Sequence, residues 1–305
     1  MSFSPVASSR DAVYKLIKPL LKKLNTLTLS PADLFFRQMY NGKFCHYDIV
    51  VKYMVLQHEF NGRYPDIWNT YRKMQLFGNN DAFADMRIEN FRKAIASLRK
   101  DGFLHNDTIS VDKEFYIRDG SHRTAMALFC GVEKVYTLIR DMPYLIEIKT
   151  AEFNNTDFTD AERKEIEDAY LEIYNAVNRP LQIVSQGSKA DIRKFSDALS
   201  VYGKVSVCED KKLSVKTVAS ECGFKAVGRR ASAQNISTVI SLQLDKISYK
   251  KIRPYRSSKI TYGKDKEIIL SCHDDIAALA AQNSVYALVP HNFLENAAVT
   301  NIICK

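Results

Sequence analysis

The sequence predicts a mixed α/β (α+β) protein of two domains, and three observations carry that reading. Apolar residues make up 46% of the 305, enough for real cores, and a chain of this length ordinarily forms one large or two ordinary domains. Short runs rich in Val, Ile and Tyr alternate with longer stretches of helical periodicity, so sheets and helices share the chain. A strong helical pattern over residues 160–178 stops at Arg179-Pro180, because proline cannot continue a helix. That stop sets the boundary between the two domains.

The elements follow in order. Residues 11–25 put Val13, Leu16, Ile17, Leu20, Leu21 and Leu24 on one helical face, with lysines opposite. Such a helix packs onto the body or lies on a membrane surface. Ser30 and Pro31 read as the cap and first residue of a helix. The 47–56 run mixes β-branched and long side chains and fits helix and strand alike. Residues 61–90 carry Tyr64, Trp68, Tyr71, Arg72, Lys73, Gln75 and Arg87. The 71–75 part is either a pocket wall, with rings for a base or sugar and cations for phosphate oxygens, or a core helix. Gly78, Asn79, Asn80 and Asp81 make a turn. Residues 115–117 read as a short strand, Asp119-Gly120 as its break, 124–129 as a helix and 134–139 as a returning strand. Thr159 to Glu162 gives the 160–178 helix a capped start, and Ile166, Tyr170, Ile173, Tyr174 and Val177 form its apolar stripe. Beyond Pro180, strands at 181–184, 205–207, 236–244 and 267–272 alternate with helices at 189–201, 215–222 and 275–281. That alternation argues for a layered α/β arrangement.

Charge and cysteines narrow the function classes. The net charge of +9 suits nucleic acid, an anionic membrane face or phosphorylated small molecules. It is dispersed, with local knots at Lys15/Lys18/Lys22/Lys23, Lys211/Lys212 and Arg229/Arg230. Residues 246–256 interleave Tyr249 and Tyr255 with bases, which either tracks a polyanion or makes a solvated edge. No zinc finger, helix-turn-helix or RNA-binding aromatic motif occurs. The six cysteines show no C-x-x-C spacing, which points to free thiols in a reducing, cytoplasmic setting. Cys272-His273-Asp274-Asp275 is the one tight group of ligand types, and a strand end before a helix cap accounts for it. Gln186-Gly187-Ser188-Lys189 and Gly228-Arg229-Arg230 are weak anion-turn patterns. No run approaches the roughly 20 apolar residues of a membrane span, and residues 1–10 lack a secretory-signal pattern.

The chemistry concentrates where the 115–117 strand gives way to the 124–129 helix. Ser121, His122 and Arg123 stand at the first turn of that helix, where unpaired N–H groups and the dipole favour an anion. Arg123 offers a planar fork for phosphate oxygens, His122 a hydrogen bond or a proton. Asp119 is an acid at the same edge, suited to a metal or a hydroxyl. Each residue also has an ordinary reading: Asp119 as turn chemistry, Ser121 as a helix cap, Arg123 as a solvated cation.

Asp119-Gly120-Ser121-His122-Arg123, the small-residue helix with Ala125 and Ala127, and Gly131-Val132 resemble the signature of the ParB/sulfiredoxin fold. Residues 91–102 and 109–111 resemble that fold's helix, glycine turn and strand ahead of the motif. The resemblance spans roughly residues 45–140 and divides the chain into a helical extension (1–44), a ParB/sulfiredoxin-like domain with a trailing helix (45–179) and a second α/β domain (180–305). Sulfiredoxin-type reductases carry a cysteine where Ser121 stands, and ParB-type CTP clamps carry several arginines where this chain has Arg123. The motif is closest in type to the free-serine kinases and to ParB-like proteins of bacterial surface-polysaccharide synthesis. What this implies is a nucleotide-dependent kinase acting on a small hydroxyl-bearing metabolite, such as a sugar or amino acid. ATP or another nucleotide and Mg²⁺ are the implied cofactors. Gly120, Ser121, His122, Arg123 and Thr124 would then hold the phosphates, Asp119 the metal or acceptor hydroxyl, and His122 phosphate or a proton. The family also implies a second carboxylate as base, for which Asp48, behind His46-Tyr47, and Glu59 are the candidates. A nucleic-acid-binding protein or nuclease, and a nucleotide-sensing scaffold, are the other readings.

Overall fold

The structure is a computed structural model, described for residues 26–40, 43–105, 108–112, 115–140, 146–209, 218, 236–244, 256–257, 270–271, 274–290 and 293–303. The predicted helix at 11–25, all of 215–222 except the helical Val218, the Gly228-Arg229-Arg230 turn, the basic 246–255 stretch and Cys272-His273 lie outside the described residues.

The first layer is built from β1 (Thr26–Leu29), α1 (Pro31–Arg37), β2 (Met39–Tyr40), β3 (Lys43–Phe44), α2 (Tyr47–Asn61), α3 (Ile67–Leu76), α4 (Asp81–Asp101), β4 (Ile109–Val111), β5 (Ile117–Asp119), α5 (Ser121–Phe129), β6 (Val135–Ile139), α6 (Ile146–Asn155) and α7 (Asp160–Val177). Local chemistry sets the helix starts. The Ser30 hydroxyl accepts from Ala32 N–H ahead of Pro31, Asn80 caps α4 through Phe83 N–H, and Thr159 with Glu162 forms the expected capping box on α7. Helix α2 stops at Gly62, which takes a left-handed φ of 68°, the conformation glycine adopts without penalty.

The sheet order is β1-β6-β4-β5. Strands β4 and β6 run parallel while the outer pairs are antiparallel, so α5 lies on the crossover that returns the chain beside β4. The 47–56 run resolves as helix: residues Ile49 to Gln57 of α2 are all buried, because α5, α3 and α7 pack around it. A helix apolar on every side carries no amphipathic signal. The strand predicted at 115–117 lies two residues later. Phe115 sits instead in the β4–β5 turn at φ 68°, with its ring buried. Gln38 ties this turn to the N-terminal segment: its amide donates to the carbonyls of Leu34 (2.7 Å) and Phe115 (3.1 Å) and accepts from Ile117 N–H at 3.0 Å.

Past Pro180 come β7 (Leu181–Gly187), α8 (Lys189–Leu199), β8 (Gly203–Glu209), β9 (Ile236–Leu244), the short pair β10 (Arg256–Ser257) and β11 (Leu270–Ser271), α9 (Asp274–Gln282), β12 (Tyr286–Leu288) and α10 (Phe293–Ile303). The alternation of elements predicted a layered arrangement, yet the sheet β12-β7-β9-β8 is antiparallel at every described pairing. The reason is that β9 inserts between β7 and β8, so the β7–α8–β8 crossover is split. One apolar core gathers residues from Leu29 to Tyr174, and others gather Leu181 to Val299.

Candidate active site

The site forms where the buried helix α2 meets the first turn of α5. Asp48 and Lys52 are four residues apart on α2, which puts them on one face. Lys52 Nζ donates to Asp48 Oδ2 at 2.7 Å and to Ser121 Oγ at 2.6 Å. His46, just ahead of the helix, donates from Nδ1 to the other Asp48 oxygen at 3.0 Å. Lys52 is only 2% exposed. Burial pulls its ammonium toward the neutral form and Asp48 opposes that pull. Burial alone would raise the Asp48 pKa, but Lys52, Lys149 and His46 overcome it and hold the carboxylate well below its ordinary range. Removing either partner strands a charge in low dielectric.

Gly120 makes the turn possible. Its φ of 103° suits glycine, and a Cβ there would meet the Ile109 backbone and side chain at 3.2 Å. It is Gly120, not Ser121, that occupies the cap position of α5; Ser121 is the first helical residue. Its hydroxyl therefore lies at the positive end of the helix, among N–H groups without intrahelical acceptors. His122 follows. Its Nε2 shares a hydrogen bond of 2.9 Å with the Tyr71 hydroxyl from α3, and its ring lies 4.4 Å from that of Phe91 on α4. Burial first, then the charges of Lys52 and Arg87, push its pKa well below the ordinary imidazole value, so His122 is neutral near pH 7.

Arg87 stands one turn ahead of Phe91 on α4, near enough for its charge to act on Lys52, Tyr71 and His122. Among the described residues it pairs with no carboxylate; its Nε donates to the neutral Gln75 amide oxygen at 3.3 Å. Lys149 of α6 approaches from another side, acting on Asp48 and Lys52, and holds Glu152 at 2.6 Å.

Of the expected residues, Asp48, Ser121 and His122 meet around Lys52 and Gly120 shapes their turn, while Glu59, Asp119, Arg123 and Thr124 take other partners. Glu59 is eleven residues further along α2, about 16 Å at the helical rise. There it accepts from Trp68 at 3.0 Å and Arg99 at 2.8 Å, a surface clamp away from the α5 turn. Asp119 ends β5 with its side chain 77% exposed, 3.4 Å from Arg123. Arg123 itself donates to the Thr108 carbonyl and stands at the outer rim. Thr124 points inward: it is fully buried and its hydroxyl donates to the Gly120 carbonyl at 3.1 Å, which leaves only its backbone N–H end near the turn. Of the 71–75 segment, Tyr71 reaches the site and Gln75 holds Arg87, while Arg72 and Lys73 turn to Asp81, Asp85 and Glu162. No group of three or more His, Cys, Asp or Glu side chains converges among the described residues.

Sequence reasoning missed Lys52. The signal was there: Asp48 and Lys52 are the two charges in a run otherwise composed of Ile49, Val50, Val51, Tyr53, Met54, Val55 and Leu56, and charges inside a buried helix must pair. The chain matches no protein-family model, no curated protein and no solved structure.

Proposed function

We propose that the chain is a nucleotide-dependent phosphotransferase, a kinase acting on a small hydroxyl-bearing metabolite such as a sugar or an amino acid, on a ParB/sulfiredoxin-like domain. One observation carries the reading most. Arg87, a cation with no carboxylate of its own among the described residues, is near enough to Lys52 and the neutral His122 for its charge to act on both. A phosphate placed there meets helix N–H groups, a guanidinium and an ammonium together.

Phosphoryl transfer asks mainly for positioning and charge neutralisation. Arg87, Lys52 and the α5 N-terminus supply the positive field for charge growing on the transferred group. Neutral His122, fixed by Tyr71, can donate or accept one hydrogen bond without adding charge. Asp48 holds Lys52 on the Ser121 hydroxyl, and the pair takes the base role expected of a second carboxylate. Magnesium usually takes one or two carboxylates plus substrate phosphates, and the exposed Asp119 fits that role; bound there, the ion would neutralise phosphate charge. Arg123 at the rim is placed for the outer phosphates.

Thermal melting with Mg²⁺ and each of ATP, ADP, CTP and GTP tests the proposal. One nucleotide is expected to stabilise the wild type, by about 2.7 kcal/mol at a hundredfold excess over Kd, and Arg87→Ala to lose that shift. No shift with any nucleotide, together with salt-sensitive binding of DNA or RNA, would overturn the kinase reading in favour of a nucleic-acid binder.

A further inference from the structure

The contact between Lys52 Nζ and Ser121 Oγ, 2.6 Å, joins residues 69 apart in sequence. It lies in line with the 2.7 Å contact from Lys52 to Asp48 and the 3.0 Å contact from His46 to Asp48. A nucleophile, a base touching it and a third group orienting the base define an activated hydroxyl, and here all three are present with Lys52 and His46 almost completely buried. A lysine that only pinned α2 to α5 would be satisfied by any hydroxyl or carbonyl. This one meets the hydroxyl of the first residue of α5, directly ahead of His122.

We infer that Ser121 is the nucleophile of this site and takes the phosphoryl group covalently before the acceptor receives it, an inference that rests on the phosphotransferase reading. In the first half, Ser121 Oγ bonds to the transferred phosphorus. The bond from that phosphorus to the bridging oxygen breaks, and its electron pair leaves with the nucleoside diphosphate. Lys52 in its neutral form takes the Ser121 proton as the bond forms, and Asp48 holds the ammonium so made. The phosphoserine then faces Arg87, Lys52 and the α5 N–H groups. In the second half the acceptor oxygen bonds to phosphorus and the Ser121 Oγ–P bond breaks. Ser121 regains its proton from the Lys52 ammonium, and the acceptor proton leaves by way of His122 to solvent.

An alkyl fluorophosphonate tests the nucleophile without needing the right nucleotide, since attack by Ser121 expels fluoride. Trypsin cuts after Arg118 and Arg123, leaving a five-residue peptide in which Ser121 is the one hydroxyl residue. The expected result is an adduct on that peptide in the full-length wild type. Ser121→Ala should lose it, and Lys52→Met should label at least about a hundredfold more slowly, the lower range for loss of a general base. Ser121→Ala removes one partly exposed oxygen, and its circular dichroism controls for folding. No adduct on this peptide, in protein whose melting still responds to a nucleotide, overturns the covalent route and leaves direct transfer standing. An adduct without any nucleotide response keeps the nucleophile and removes the kinase. Equal labelling in wild type and Lys52→Met overturns the role given to Lys52.

Discussion

Lys52 and Asp48 are each other's justification inside α2, so changing one alone should cost more than changing both. Lys52→Met leaves the Asp48 carboxylate buried beside His46 and is expected to lose about 3–5 kcal/mol of stability. The double variant Lys52→Met/Asp48→Asn should recover much of that, and urea unfolding of the four proteins measures the coupling. His122 gives a pH dependence. Its folded pKa lies well below the ordinary value because of burial and of Lys52 and Arg87, so below about pH 6.5 the unfolded chain binds a proton that the folded one refuses. Stability from this residue is present above that pH and is lost as pH falls toward the folded value. His122→Gln should flatten the decline in Tm between about pH 6.5 and 5; an unchanged decline would show that His122 is not the group responsible. At this scale the sequence was partly legible. The strand-turn-helix at Asp119 to Thr124 announced Ser121 and His122. Arg87 stood unassigned in an aromatic segment, because nothing in its neighbours says that its charge acts on Lys52 and His122.

Among the elements, the α5 turn depends on two features outside the helix. Gly120→Ala forces an L residue to φ 103° against the Ile109 backbone, a strain of about 1–3 kcal/mol. It should lower stability by that amount and weaken the nucleotide response as well, since Ser121 and His122 follow directly; thermal melts with and without nucleotide read both effects. Gln38→Ala removes the three hydrogen bonds of its amide, among them the one that the buried Ile117 N–H donates. An expected loss of about 2–3 kcal/mol follows from the usual cost of such groups, measurable by urea unfolding. Capped helices were readable because caps are local: Ser30, Thr159 and Glu162 announce themselves within four residues. Helix α2 was not, because periodicity vanishes when every face is covered. The antiparallel second sheet was not either, because strand insertion is decided by β9, some 50 residues beyond β7, and alternation alone cannot show it.

For the molecule as a whole, the decisive fact is where the cores divide. Every site residue from His46 to Lys149 lies on or beside an element that packs against the Leu29-to-Tyr174 core, while the cores beyond Leu181 draw on their own strands and helices. Among the described residues no helix or strand before Asn178 packs extensively on one after it; one clear link is the Gln243 amide donating to the Asn178 carbonyl at 2.7 Å. A fragment ending at Arg179 keeps the capping box of α7, its stripe of Ile166, Tyr170 and Ile173, and all of the α2–α5 contact. It is therefore expected to unfold cooperatively and to keep the nucleotide-dependent rise in Tm, since among the described residues no side chain past Pro180 enters the site. Calorimetry and melting of the fragment against the full chain provide the measurement. A fragment that folds but no longer responds would place part of the ligand contact in the second region. A fragment that does not fold would mean that burial across the 178–181 junction, small as it is, holds the first core together.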